Sequence, residues 1–119
     1  MTVVERHPAP SATVCPLDRL EPERGVAALV AGHQVALFRL PDGSVHALDH
    51  HDPATGANVL ARGLLGTTAD GEWYVASPLH KHRYSLVDGR CLTDPALAVA
   101  VHRVAVVDGD VEVTLVRSS

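Results

Sequence analysis

Aromatic side chains are scarce in this chain of 119 residues, which has one Trp, one Phe and two Tyr. Its core must therefore be built from Val, Leu and Ala carried on strands, and aromatic stacking is excluded as its main theme. A domain of this length buries roughly 65% of the surface its unfolded chain exposes, which suffices without covalent staples. Cysteine is almost as rare. Cys15 and Cys91 lie far apart and outside any C-x-x-C pair, so a zinc ribbon or a redox dithiol is not indicated, and two small buried residues are expected. Lys and Arg are scattered and the formal net charge is −4, so the attraction that dominates nucleic-acid affinity is missing and no nucleic-acid partner is expected. No run approaches the about 20 apolar residues of a membrane helix. Met1 to Val14 has Pro, His and charge where a secretory signal has an apolar region. The expectation is a cytoplasmic protein without a membrane partner.

What the sequence does contain is turn signals. Asp42-Gly43, Asp70-Gly71, Asp88-Gly89 and Asp108-Gly109 each separate runs rich in β-branched or alternating residues, and Asp-Gly supplies the positive φ angles of tight hairpins. Val26–Val30 and Gln34–Leu40 flank Gly32-His33, Ser44–Leu48 follows Pro41-Asp42-Gly43, and the three runs read as a meander. A second group comprises Trp73–Ala76, Arg83–Leu86, Val99–Val107 and Val111–Val116. The last two alternate around Asp108-Gly109, which places one face inward and one outward. Long helical periodicity is absent, and Asp94-Pro95-Ala96-Leu97 suits a single helical turn with Asp94 as cap and Pro95 at the first helical position. The expectation is an all-β domain over residues 13–117, an antiparallel sandwich or small barrel, preceded by a flexible segment at 1–12.

Two segments interrupt the strands. One runs His50-His51-Asp52-Pro53-Ala54-Thr55-Gly56-Ala57-Asn58-Val59-Leu60 and the other Ser77-Pro78-Leu79-His80-Lys81-His82. Loops held at one tip of a β scaffold are where binding chemistry gathers. Their layout resembles a Rieske domain, whose loops read Cys-Pro-His-x-Gly-Ala and Cys-Pro-x-His-Gly, followed by an aromatic strand and a Gly-x-Cys turn. The counterparts are Asp52-Pro53-Ala54-Thr55-Gly56-Ala57, Ser77-Pro78-Leu79-His80-Lys81, Arg83-Tyr84-Ser85-Leu86 and Gly89-Arg90-Cys91. A Rieske cluster needs two thiolates on one iron and two imidazoles on the other. The four ligand positions hold Asp52, Ala54, Ser77 and His80, so one ligand of four survives and no cofactor is expected on this chain.

A Rieske-like frame altered in this way is similar to the small subunit of assimilatory NAD(P)H-dependent nitrite reductase. The resemblance rests on Val14-Cys15-Pro16-Leu17-Asp18, the strand Val35–Leu40, Asp52–Leu60 and Ser77–Lys81, four motifs in order over most of the chain. It implies a partner, the large subunit, that carries FAD, a [4Fe-4S] cluster and sirohaem and reduces nitrite to ammonium in nitrate assimilation. The hard chemistry belongs to such cofactors. The small subunit would be non-catalytic, supporting assembly or electron transfer. The alternatives are a Rieske-like interaction module or an electron-transfer accessory of another oxidoreductase.

No Ser-His-Asp order, paired-carboxylate site or phosphate loop is recognisable, so no active site is expected on this chain alone. His50, His51, His80 and His82 lie in or beside the loops, and Asp52 with His80 could begin a mononuclear metal site. No ligand spacing supports one, adjacent His50 and His51 would point to opposite faces, and solvated or hydrogen-bonded histidines are the simpler reading. Gly56 and Gly89 are expected in turns, Pro53 and Pro78 as loop stiffeners, Asn58 as a loop brace, and Trp73 and Tyr84 as packing groups. The functional expectation is docking: Leu79, with Lys81 and His50, His51 and His82 around it, offers an apolar centre and polar rim.

Overall fold

The computed structural model describes residues 10–116, and among these it contains nine strands. They are β1 (Ser11–Pro16), β2 (Val26–Val30), β3 (His33–Arg39), β4 (Val45–Asp49), β5 (Leu64–Thr67), β6 (Trp73–Ala76), β7 (Arg83–Ser85), β8 (Val101–Val107) and β9 (Asp110–Thr114). Single 3-10 turns stand at Leu17–Arg19 and Leu60–Arg62. Six strands form one sheet in the order β1-β9-β8-β4-β3-β2, and β5-β6-β7 form a second. Every named strand pairing is antiparallel. The all-β expectation holds.

The sequence pattern explains where the core sits. In β9 Val111 and Val113 are fully buried while Glu112 between them is not, the alternation of a strand with one dry face. In β3 the run Val35-Ala36-Leu37-Phe38 is buried throughout, because the strand lies between two cores. Val35 and Leu37 join Ala47, Val111 and Val113 in one cluster. Ala36 and Phe38 face the other way, into a cluster with Leu48, Leu60, Val75, Tyr84 and Leu86 that packs the small sheet against the large one.

The structure redraws several boundaries. The β2–β3 turn is Ala31-Gly32, both at positive φ, and His33 is already in β3. The strands β1 and β5 were not expected. The first starts at Ser11, so residues 11 and 12 of the N-terminal segment are paired, opposite Thr114 and Val113; residues 1–9 of that segment lie outside the described residues. The second group of runs divides, β6 and β7 joining β5 while β8 and β9 extend the meander's sheet. Asp94–Leu97 is a β-turn rather than a helical turn, with the Asp94 carboxylate accepting from the Ala96 amide at 2.9 Å and its carbonyl from Leu97 at 3.1 Å. Asx side chains close such turns on their own backbone, which competes with helix formation.

Candidate functional site

Both interrupting loops come to one tip. The first leaves β4 and folds around Asp52, whose carbonyl accepts from Thr55 and Gly56 while its amide donates to Ala57 at 2.8 Å. The second leaves β6 and is closed by Ser77 N–H donating to the His82 carbonyl at 2.8 Å, with His80 and Lys81 both left-handed at its apex (φ 58° and 57°). A direct bond joins the loops. The Ser77 hydroxyl donates to Asp52 Oδ2 at 2.5 Å, and the Tyr84 hydroxyl donates to Asp52 Oδ1 at 2.8 Å, where the Ala54 amide also arrives at 3.0 Å. Asp52 and Tyr84 are wholly buried and Ser77 is nearly so.

Burial pushes the Asp52 carboxyl upward, but the bonds from Ser77, Tyr84 and Ala54 overcome it and hold the group below the usual aspartate value. For Tyr84, burial and then the adjoining carboxylate act in the same direction and push its hydroxyl above the usual tyrosine value. The arrangement is thus an ionised acid served by two neutral hydroxyls.

The four Rieske ligand positions do not fit a [2Fe–2S] cluster. Two thiolates and two imidazoles are required. The positions that would supply the thiolates, Asp52 and Ser77, are hydrogen-bonded directly to each other, which leaves no space for an iron between them. Ala54 has no donor, and the His80 ring stands in solvent. As for a mononuclear site, Asp52 is buried with both oxygens already accepting hydrogen bonds, whereas His80 is exposed. Among the described residues one group of three possible metal ligands lies within 4.8 Å, and it is His33, Asp49 and His102 on the large sheet. There both ring Nε2 atoms lie 2.7 Å from the same Asp49 oxygen, and His102 Nδ1 accepts the Val116 amide at 3.1 Å.

The docking set is partly redrawn. Leu79 is 42% exposed, and Lys81 in the same loop and His51 in the other are exposed too. His82 is half-buried, with Nδ1 2.9 Å from Thr93 Oγ1. His50 does not belong to the rim: it is buried, its Nδ1 accepts the Ala61 amide at 3.1 Å, and burial with the nearby Arg62 charge pushes its pKa down. His50 and His51 do face opposite ways, and Asn58 Oδ1 lies 3.3 Å from His51 Nδ1 across the first loop.

A groove of ≈ 630 Å³ beside the tip was not foreseen. Its floor is the outer face of the small sheet, where Leu64, Ala76 and Arg83 stand in one register row and Gly66, Tyr74 and Ser85 in the next. A Cβ on Gly66 would fall 2.5 Å from the Tyr74 hydroxyl, so the bare glycine is what lets that ring lie across the neighbouring strand. The Arg83 guanidinium stacks over the ring at 5.0 Å. The signal in the sequence was the alternation Arg83-Tyr84-Ser85, but its partner rows depend on β5, which was not recognised.

Comparison with known proteins agrees with this frame. Residues 11–114 match the model of the Rieske-like [2Fe-2S] domain family, to which the chain belongs. Within that class its relatives include proteins named as nitrite reductase small subunits. The chain is 41% identical over 100 residues to the nitrite reductase (NADH) small subunit of Escherichia coli K12, covering 83% of this chain and 92% of that one. A crystal structure from Mycobacterium tuberculosis, provisionally described as an NADH-dependent nitrite reductase small subunit, superposes with a TM-score of 0.85 at 44% identity. It covers 91% of this chain and 96% of its own. The chain also matches part of the nitrite reductase [NAD(P)H] large subunit of Klebsiella oxytoca, 44% identical over 102 residues, 86% of this chain and 10% of that one.

Proposed function

We propose that this chain is a clusterless small subunit of an NAD(P)H-dependent nitrite reductase, working in the cytoplasm in nitrate assimilation. Its role is to dock on a large subunit that carries FAD, a [4Fe-4S] cluster and sirohaem and performs the reduction of nitrite to ammonium. The observation that carries the clusterless part is the Asp52–Ser77 bond, which closes the two loops on each other where a Rieske protein holds iron. The identity to a small subunit over 92% of its length supports the assignment of the partner. So does the Klebsiella relative, in which a segment like this chain is part of a protein named as the large subunit. Docking through the exposed tip, with Leu79 and Lys81 as contacts and His51 and His82 beside them, follows from exposure next to a rigid, hydrogen-bonded base.

The test is reconstitution. Large subunit purified with and without this chain is assayed for nitrite-dependent NAD(P)H oxidation and for co-elution. Association with higher or longer-lived turnover is expected, and Leu79→Glu is expected to weaken association. Equal turnover and no co-elution would overturn the reading.

A further inference from the structure

Arg62, Lys81 and Arg83 are exposed and converge on the groove beside the tip, whose lining contains no acidic residue. They come from two segments: Arg62 ends the 3-10 turn after the first loop, while Lys81 and Arg83, two residues apart, stand at the left-handed apex of the second loop and the start of β7. None of them is in an ion pair among the described residues, which is also true of Arg19, Arg39 and Arg103; what sets the three apart is that they share one groove. In a chain with Lys and Arg numbering 10 against 14 Asp and Glu, three unpaired cations at one groove stand out from an otherwise acidic molecule. Between them the floor is apolar, with Leu64 78% exposed at the edge strand β5 and the Tyr74 ring beside it.

Glu23 lines a neighbouring depression with Arg62 but forms no ion pair with it, and the carboxylate behind the groove does not neutralise this charge either. Asp52 lies behind Ser77, fully buried, and its oxygens are occupied by Ser77, Tyr84 and Ala54.

We propose that this groove receives an acidic segment of the large subunit, its carboxylates meeting Arg62, Lys81 and Arg83 and an apolar side chain resting on Leu64 and Tyr74. The inference rests on the subunit reading above and names the surface and its chemistry. Charge complementarity is the argument for the occupant: guanidinium forks recognise carboxylates bidentately, and a docked segment would cover the exposed apolar floor beside them. Lys81 is common to the groove and to the docking tip, so one continuous surface serves both.

Lys81 is also the only lysine in the sequence, which gives the proposal a sharp test. Carbodiimide joins an amine to a carboxylate only where the two are already in contact. The assembled reductase, treated with carbodiimide and mapped by mass spectrometry, is expected to show Lys81 linked to an Asp or Glu of the large subunit. Alongside, affinity for the large subunit is measured over a range of salt for the natural chain and two triple variants. Arg62→Glu/Lys81→Glu/Arg83→Glu is expected to weaken binding at least about tenfold at low salt and to flatten its salt dependence. Arg19→Glu/Arg90→Glu/Arg103→Glu, with the same formal net charge change at residues outside the groove lining, is expected to keep most of both. Thermal unfolding of each variant alone shows that it is folded. Equal losses in the two variants, or retained affinity in the groove variant, would overturn the groove while leaving the subunit reading intact. A natural chain that does not bind the large subunit at any salt overturns both.

Discussion

Asp52 Oδ1 accepts from Tyr84 and the Ala54 amide, and Oδ2 accepts from Ser77; Asp52, Tyr84 and Ser77 are out of reach of water. Removing the carboxylate strands those donors, and unsatisfied buried groups are costly. Asp52→Ala is expected to destabilise the domain by about 3 kcal/mol and Ser77→Ala by about 1–2 kcal/mol, read from urea unfolding at pH 7. Stability should fall in two stages on acidification. His50 has a lowered folded pKa, so the unfolded chain takes up its proton first and stability declines as pH drops below about 6.5. Asp52 is also lowered, so its contribution is complete above about pH 4 and is lost as pH falls through its folded value. Unfolding midpoints from pH 8 to 3 check this, with His50→Gln expected to remove the upper stage; a profile flat between pH 7 and 5 in the natural chain contradicts it. The mismatched ligand positions were legible from residue types alone. That two of them would bond to each other was not, because the contact joins residues 25 apart in sequence and exists only once both loops reach the same tip.

At the scale of elements, the turns and alternating strands were the readable part. The hairpin of β8 and β9 turns on Asp108 and Gly109, both at positive φ, as its Asp-Gly pair indicates. What escaped was β5, because Leu64-Leu65-Gly66-Thr67 has neither alternation nor β-branched weight, and its strand state comes from pairing with β6. The run Ser11–Pro16 escaped for a similar reason: it ends on proline and has a register shift between Thr13 and Cys15. Glycines that look alike in sequence separate by their surroundings. At Gly109 an added Cβ meets nothing within 4 Å, while at Gly89 it falls 1.9 Å from the Val99 carbonyl oxygen. Both have positive φ, so Gly109→Ala is expected to cost about 1–2 kcal/mol from backbone strain alone. Gly89→Ala should cost clearly more or prevent folding, since backbone rather than a side chain must give way. Urea midpoints of the two variants check the order, and equal values would contradict it.

The molecule as a whole holds two cores separated by β3, and the second of them, between the sheets, includes Tyr84 beneath the tip. This is why the tip keeps its shape: Tyr84 ties the loops to the core, and Asp52 ties them to each other. No helix among the described residues is long and apolar enough to cross a membrane. The Rieske-like outline was legible because prolines, glycines and loop spacing survive where ligands do not. The cationic groove was not legible, because Arg62 is separated from Lys81 and Arg83 by the β5–β6 hairpin, and β5 was not recognised. The central claim is that hydrogen bonds stand where a Rieske protein has iron. It is tested most directly by the iron content and visible absorption of the chain, produced anaerobically in cells with an active iron–sulfur assembly system and purified without a tag. The account predicts a colourless protein with no stoichiometric iron; two irons per chain with thiolate-to-iron absorption bands would contradict it.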